Sequence, residues 1–541
     1  MKSSEHVALP KTPLVQRSGT SWWRRWRAAL AGFLAVSVML GVSEVLAGAV
    51  PGGRSHVVAV GDQVVDAVPA WLERAVIERL GTSDKPFLIA NILVVSGLLG
   101  AILGILAARR FVLGAFGLAF MAGVGAAASS ADPQAGTAAA VVVGIVSAAA
   151  GIATLWLLLG AAGRAAASAV PASVPAKPLP RAIPGRKTAD RHRFLILAGG
   201  AVVLAGLGAW GGRLLASSER INDIRKRISL PRPAKAAPPP PRGADLQIPR
   251  LTALFTPNGR FYRIDTALVV PQVDPADWSL HVKGRVDRPF ALTYDELMAM
   301  PQIEADITLT CVSNRVGGDL ISNARWQGVP LVDLLDRARP RYDATQIVGR
   351  SLDGFTAGFP TVQALEQRQS MVAVAMNGEP LPTSHGFPAR LVVPGLYGYV
   401  SATKWLSTIE LTRLEDFDGY WIPRGWAKEG PIKTQSRIDV PATSKIAAGR
   451  QTIAGVAWAP TRGIDRVEVR IDDGRWQGAT LATALAVTTW RQWFLRWNAE
   501  PGKHVISVRA TDGTGETQTA EWSPPEPNGA TGYHTIEVTV T

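Results

Sequence analysis

The 541-residue sequence contains one cysteine, Cys311, so it can form no internal disulfide and no iron–sulfur cluster held by several thiolates. It has no CxxCH haem-attachment motif, and its apolar runs contain no pair of histidines that would ligate a transmembrane haem. The two parts of the chain lack different things. Residues 1–244 have no tyrosine and few acids, with 27 Lys/Arg against 11 Asp/Glu and a net of +16. Residues 245–541 lack any charge excess, with 30 Lys/Arg against 32 Asp/Glu, and carry all seven tyrosines. The overall +14 therefore does not describe a polyanion-binding surface, and nucleic acid is excluded as a partner. Two different solvents have shaped the two parts.

The first part is dominated by long apolar runs. After a basic aromatic collar through Trp22, Trp23, Arg24, Arg25, Trp26 and Arg27, five segments follow at about 28–50, 86–108, 111–131, 137–160 and 194–216. Each is long enough to cross roughly 30 Å of hydrocarbon. A single leading run would read as a signal peptide; five read as an anchor. Arginines precede the first segment, Arg109 and Arg110 separate the second and third, and 161–193 has seven basic residues against Asp190. The loop 51–85 is mixed, and its semi-periodic piece Val57–Leu80 is expected to lie along the outer surface. This asymmetry predicts a multi-pass cell-membrane protein with a cytoplasmic N-terminus and everything after about 217 outside. Glu44, near the end of the first segment, reads either as a relay group or as a carboxylate reaching the interface. The run Asp190-Arg191-His192-Arg193-Phe194-Leu195 resembles a degenerate twin-arginine export signal without adjacent arginines, and positive-inside anchoring accounts for the same residues. Residues 217–244, basic and then proline-rich, are expected to be a semi-rigid linker.

The second part centres on Ile303–Leu331, where Cys311 ends a short apolar alternation and Ser313, Asn314, Arg315, Gly317, Gly318 and Asp319 follow. A free cysteine is often simply buried. Here the neighbours have the composition of a site, and we read Cys311 as a thiolate ligand to a metal at a strand end. Around it the pattern is of short strands, such as Trp278–Gly284, with short helices over Tyr294–Met300 and Leu331–Ala338, punctuated by prolines. That is α+β, not a βαβ series. From 444 onward, alternating strands at Thr452–Trp458, Asp465–Ile471, Thr489–Trp497 and Val505–Ala510 predict a small β-sandwich.

Several stretches are similar to the sulfite oxidase family of molybdopterin enzymes: FTPNGRFYRIDT (Phe255–Thr266), VDPADWSLHVKG (Val273–Gly284), TLTCVSNRVGG (Thr308–Gly318), MNGEPLPTSHGFPARLVVPGLYGY (Met376–Tyr399) and TKWLSTIEL (Thr403–Leu411). The resemblance covers about 250–541. It implies a Mo-molybdopterin cofactor with Cys311 as the one protein ligand to molybdenum. It further implies that Asn258 and the run Phe261, Tyr262, Arg263, Ile264 and Asp265 line the cofactor. Asp353 would contact it from another loop, and His385, Arg390, Ala402, Thr403 and Lys404 would hold the pterin and its phosphate. Arg suits bidentate phosphate contacts and Lys a point charge. Arg263, Arg315 and Tyr420 are the expected substrate-side groups, although WIPRGWAKEGPIKTQSRID after Tyr420 departs from the pattern of the sulfite-oxidising members.

The expected architecture is multi-domain: an all-α transmembrane anchor of about five helices (1–216), a linker (217–244), an α+β molybdopterin-binding oxidoreductase domain (245–443), and a C-terminal immunoglobulin-like β-sandwich (444–541). In many members of the family the last of these makes a homodimer. The expected activity is two-electron oxygen-atom transfer on a small oxyanion or sulfoxide-type substrate, with a c-type cytochrome or quinone-linked membrane protein exchanging the electrons. The competing readings are a non-catalytic membrane-tethered structural or sensing module on the same fold, which the presence of Cys311 argues against, and a transporter, which the lack of charged pairs in the spans argues against.

Overall fold

The computed structural model describes residues 19–50, 52–69, 72, 76, 79, 83–132, 135–167, 186–215 and 218–541. They form two compact units, one ending at Ser217 and one beginning at Ser218. The basic loop 168–185, most of 70–82 and the side chains of Trp22, Trp23, Arg24, Asp190 and Arg191 lie outside what is described, so the collar, the outer part of Val57–Leu80 and the twin-arginine resemblance are left as expectations.

The first unit is helical: α1 (Gly19–Ala49), α2 (His56–Ala67), α3 (Asp84–Ala107), α4 (Phe111–Ser130), α5 (Thr137–Ala167) and α6 (Arg186–Leu215). Among the described residues, four stretches are long and apolar enough to cross a membrane: Arg25–Ala49, Asp84–Ala107, Phe111–Ser130 and Thr137–Ala161. The expected fifth lies in α6, whose side chains from 209 onward are outside the described residues. The fifth segment is helical too, but its described apolar run, His192–Gly208, is shorter. Helix α1 packs against α3, α5 and α6. Small residues set how close these helices come: a Cβ added to Gly100 would fall 2.6 Å from the Val36 side chain, and one on Gly32 would fall 2.6 Å from Gly104 N. Backbones approach this closely where the contact face lacks side chains. Arg27 lies 5.8 Å from the Phe194 ring near the start of α1 and α6, and a Cβ on Gly208 would fall 2.6 Å from Gly41 O near their ends. The two helices are therefore parallel. At the far end of α1, Arg54 pairs with Asp62 and with Asp132 at 2.7 Å each, tying the α1–α2 loop to the α4–α5 loop. Glu44 accepts a hydrogen bond from the Ser55 hydroxyl in the same region.

The second unit begins with α7 (Ser218–Arg227), which buries Ile221 against Phe261, Ile307 and Phe387. The proline-rich stretch after it is not a free spacer. Ala234 N–H donates to Gln302 O at 2.8 Å, Gln327 Nε2 donates to Pro231 O at 2.8 Å, and Arg325 donates to Pro238 O at 2.8 Å. Over these residues the stretch lies as a strap along the domain.

Two sheets follow. Strands β1 (Ser279–Gly284), β2 (Phe290–Thr293), β3 (Ile303–Thr310), β4 (Ile321–Pro330), β5 (Gln346–Ser351), β6 (Thr356–Pro360), β7 (Met371–Met376), β8 (Glu379–Pro380), β9 (Arg390–Val392) and β10 (Leu406–Thr412) pair as β2-β1-β10-β5-β6 and β3-β4-β7-β8, with β9 on β7. The helices are short: α8 (Tyr294–Ala299), α9 (Leu331–Ala338), α10 (Thr361–Glu366) and α11 (Gly398–Ser401). Helix α8 starts in a capping box, Thr293 with Glu296, and α9 turns Leu331, Leu334, Leu335 and Ala338 inward, as i, i+3, i+4 spacing requires.

C-terminal to these, one sheet runs Gln435–Val440, Gly449–Trp458, Arg491–Ala499 and Thr480–Leu481, and the other runs Lys445–Ile446, His534–Val540, Gly502–Asp512, Ile464–Ile471 and Gln477–Gly478. They form a β-sandwich over a core that includes Ile453, Val467, Trp493, Ile506 and Val508. This sandwich covers the free side of β3: Thr308 N–H donates to Thr488 O at 3.0 Å, and Trp490 N–H donates to the Thr308 hydroxyl at 2.8 Å. Strand β3 is consequently buried along nearly its whole length, and it delivers Cys311.

Candidate functional site

Cys311 sits one residue past the end of β3, 8% exposed, on the wall of a cavity of about 110 Å³. Its loop is held from several sides. Cys311 N–H donates to Leu320 O at 2.9 Å, Asn314 N–H donates to Cys311 O at 3.1 Å, and the buried Asn314 side chain accepts from Leu320 N–H at 3.0 Å. Gly317 takes a φ of +76°, a backbone region that suits glycine. Arg437 of the sandwich closes the clamp by donating to Gly318 O at 2.8 Å. Burial pushes the Cys311 thiol pKa up, while the amide and hydroxyl of Ser313 and the charge of Lys404 favour the thiolate. Among the described residues it is the free thiol of the chain.

Two buried cations share this cavity. Arg390 opens β9 and is 3% exposed; it donates to His385 O at 3.2 Å and lies 5.1 Å from the Trp326 ring. Burial lowers its pKa to about 10. Lys404, between α11 and β10, donates to Asp265 at 3.0 Å and to Ser384 O at 3.2 Å. Burial lowers its pKa to about 8, Asp265 pulling it back up and Arg390 adding to the fall. The two cations come together because Gly386, with a φ of +107°, lets the chain turn between them: a Cβ there would fall 3.0 Å from Lys404 Cα and 3.1 Å from Arg390 Cβ.

Of the residues singled out in the sequence, Phe261, Tyr262, Ile264, Asp265, Cys311, Asp353, Arg390, Ala402 and Lys404 all line this one cavity. His385 and Thr403 stand behind the wall. The His385 ring meets Phe261 edge-on at 5.5 Å, and its Nε2 is 3.0 Å from Asn258 O. Burial, reinforced by Lys404 and Arg390, drives the His385 pKa down to about 3. Burial likewise raises the Asp353 pKa, with Ser351 and the Phe355 amide opposing it.

The remaining expected residues are placed otherwise. The Asn258 side chain is used structurally, donating to Met376 O at 3.1 Å and to Glu379 at 2.5 Å. Arg263 is partly exposed and donates to Asp265 at 2.9 Å, off the cavity wall. Arg315 is exposed on the Cys311 loop and is not on the wall either. Tyr420 backs the cavity without lining it, its ring packed on Phe355 and Trp421 and covered by Arg424 at 3.7 Å.

Sequence reasoning passed over an aromatic wall. Tyr399, Trp405, Trp421 and Trp426 line the cavity together with Phe355. Trp421 and Trp426 meet edge-to-face at 6.5 Å, and Trp426 packs on Tyr399 at 5.8 Å. The available signal was two tryptophans five residues apart in the segment that departs from the family pattern.

A phosphate-bearing pterin bound through a metal–thiolate link needs a soft ligand, buried cations and hydrogen-bonding atoms not already engaged. Cys311, Arg390 and Lys404 supply the first two. His385 Nδ1 and Thr403 Oγ1 are buried without a hydrogen-bond partner, which marks them as atoms awaiting one. The residues present fit such a group.

Comparison with known proteins agrees in kind. Residues 267–421 match the model of the oxidoreductase molybdopterin binding domain. The chain is 29% identical to the mitochondrial sulfite oxidase of Homo sapiens over 330 residues, which is 52% of this chain and 59% of that one. It is 36% identical over 157 residues to a Bacillus subtilis (strain 168) protein named "Uncharacterized oxidoreductase YuiH", covering 29% of this chain and 76% of that one. The mammalian sulfite oxidases it matches are therefore covered over about three-fifths of their length. Among solved structures, the sulfane dehydrogenase SoxCD from Paracoccus pantotrophus aligns with a TM-score of 0.48 and 23% identity, covering 53% of this chain and 82% of that one.

Proposed function

Because the chain belongs to the sulfite oxidase family of molybdopterin-binding oxidoreductases, we propose that it is a membrane-anchored enzyme catalysing two-electron oxygen-atom transfer on a small oxyanion or sulfoxide-type substrate. The observation that carries this is the meeting of the Cys311 thiol with two buried cations in a cavity walled by aromatic rings. When bound, the molybdenum cofactor supplies a two-electron redox centre able to accept or donate an oxygen atom.

The chain's own residues would hold and tune that group. Cys311 is the ligand to the metal, and its clamped loop fixes where the sulfur points. Arg390 and Lys404 neutralise the phosphate; the cost of their burial is offset when an anion arrives, so the site is electrostatically prepared for a negative ligand. Asp265 keeps Lys404 in place, and His385 and Thr403 offer their unpaired atoms to the pterin. The aromatic wall excludes water, which strengthens each of these interactions. The electrons would pass to or from a separate c-type cytochrome or a quinone-linked membrane protein, since the sequence carries no haem-attachment motif and no second cysteine. Positive-inside charge, with α1 and α6 running parallel, supports an extracytoplasmic active site. The C-terminal sandwich, on an immunoglobulin-like plan, would serve as a dimerisation domain.

Metal analysis of the full chain, purified in detergent from a cofactor-competent host, tests the reading. One molybdenum per chain with bound pterin is expected, and Cys311→Ala is expected to be inactive. Wild-type protein without molybdenum, or a fully active Cys311→Ala, would overturn it.

A further inference from the structure

Resting on the oxygen-transfer reading above, we propose that the substrate is an uncharged organic oxide, an S–O or N–O compound with an apolar or aromatic body, seated against the rings of Tyr399, Trp421 and Trp426, and not a free inorganic oxyanion. The first ground is charge. Among the described residues, the formally charged side chains lining the cavity are Asp265, Asp353, Arg390 and Lys404, a set with no net charge. A phosphate-bearing cofactor and a Cys311 thiolate both add negative charge to it. An oxyanion entering afterwards meets repulsion in a poorly screened space.

Among the described residues, the nearby cations that would relieve this repulsion do not line the cavity. Arg263 donates to Asp265, and Arg315 is exposed and is not on the wall. Along the segment that forms the aromatic wall, Arg413 pairs with Asp343 at 2.7 Å, Arg424 covers the Tyr420 ring, and Lys428 pairs with Asp418 at 2.7 Å. Lys433 donates to Asn528 at 3.0 Å and to Gly529 O at 2.7 Å.

The second ground is shape and chemistry. Tyr399 donates its hydroxyl to Ala427 O at 2.6 Å, so that polar end is tied back. Trp426 N–H donates to Trp421 O at 3.3 Å and Ala427 N–H donates to Pro527 O at 2.9 Å, which fixes the wall in place. Trp421 and Trp426 are only partly buried, and both line the cavity. Rings presented this way bind apolar and aromatic bodies by offset and edge-to-face contact. In the reducing direction the S–O or N–O bond breaks, two electrons and two protons enter, and water leaves with the thioether or amine. The electrons come from the reduced cytochrome or quinol class of donor already named.

The test uses the full-length holoenzyme in detergent, with two readouts. Turnover is measured with methyl phenyl sulfoxide and with pyridine N-oxide, each with reduced viologen as donor, and with sulfite and a one-electron acceptor dye. Binding is measured without turnover, by quenching of tryptophan fluorescence with methyl phenyl sulfone. At least one uncharged oxide should exceed sulfite in kcat/KM by about 100-fold, and the two arms separate S–O from N–O chemistry. Trp421→Ala should raise KM by roughly tenfold with kcat little changed, Trp421→Phe should retain most of the binding, and the sulfone should quench saturably in wild type but not in Trp421→Ala. Sulfite turning over faster than both oxides, or the absence of saturable quenching, overturns the proposal while leaving the oxygen-transfer reading intact. Saturable quenching in a molybdenum-loaded protein that turns over none of the three substrates supports the pocket assignment and sinks the oxygen-transfer reading instead.

Discussion

His385 shows how much one buried side chain can commit to a ligand. Its ring nitrogen Nε2 has a backbone partner, its Nδ1 has none, and burial with two neighbouring cations lowers its pKa to about 3. The unfolded chain takes up that proton near pH 6.5 while the folded one refuses it, so folding is progressively penalised as pH falls from 6.5 toward 3. In protein made without the cofactor, wild type should therefore lose more stability between pH 7 and pH 5 than His385→Gln, by about 2 kcal/mol. Thermal midpoints at the two pH values check this, and parallel losses would show that His385 is not the group responsible. The residues of this site were unevenly legible. Cys311, Arg390 and Lys404 could be found because unusual residue types sit in distinctive runs. Trp421 and Trp426 could not, because they lie on irregular backbone, where no periodicity says which way a ring points. Arg315 is exposed and off the cavity wall, because closeness to Cys311 in sequence does not by itself place a side chain on that wall.

At the scale of elements, the turn through Gly386 brings together two buried cations, one opening β9 and one in the loop before β10. Its φ of +107° and the 3.0 Å approach to Lys404 Cα leave no room for a side chain. Gly386→Ala should cost about 1–3 kcal/mol through backbone strain alone, and it should displace Lys404 or Arg390 enough to lower cofactor content. The molybdenum-to-protein ratio and the thermal midpoint measure the two effects; wild-type values of both would mean that the turn relaxes without moving the cations. The strap from 229 to 244 shows where element reading from sequence stops. A proline-rich spacer and a proline-rich strap have the same composition, because proline cannot donate a backbone hydrogen bond in either. What distinguishes them here is reception. Pro231 O and Pro238 O accept from Gln327 and Arg325, side chains on β4 about ninety residues away, and nothing local announces that pairing. The strands and short helices of the domain were readable because alternation and capping are local signals; Thr293 with Glu296 is one such case.

Across the whole molecule, the helical unit is organised by what its contact faces lack. Glycines at 32, 41, 100, 104 and 208 bring α1 against α3 and α6, and their spacing decides which faces meet. Hydropathy shows that these segments are apolar, but not which of them run the same way. The pairing of Arg27 with Phe194 and of Gly41 with Gly208 supplies that, giving α1 and α6 the same direction. If α1 enters from the cytoplasm, as the arginines in its first turns predict, α6 would leave on the outer side and the chain after it would emerge there. A reporter enzyme that works only outside the cytoplasm should therefore be active when fused after Thr541 and silent when fused after Arg110, between α3 and α4. A reporter that works only inside should give the reverse. The shorter apolar run of α6 makes this the decisive helix. An even number of crossings would silence the outer reporter at Thr541 and return the Cys311 pocket to the cytoplasm, where the proposed outer electron donors could not reach it.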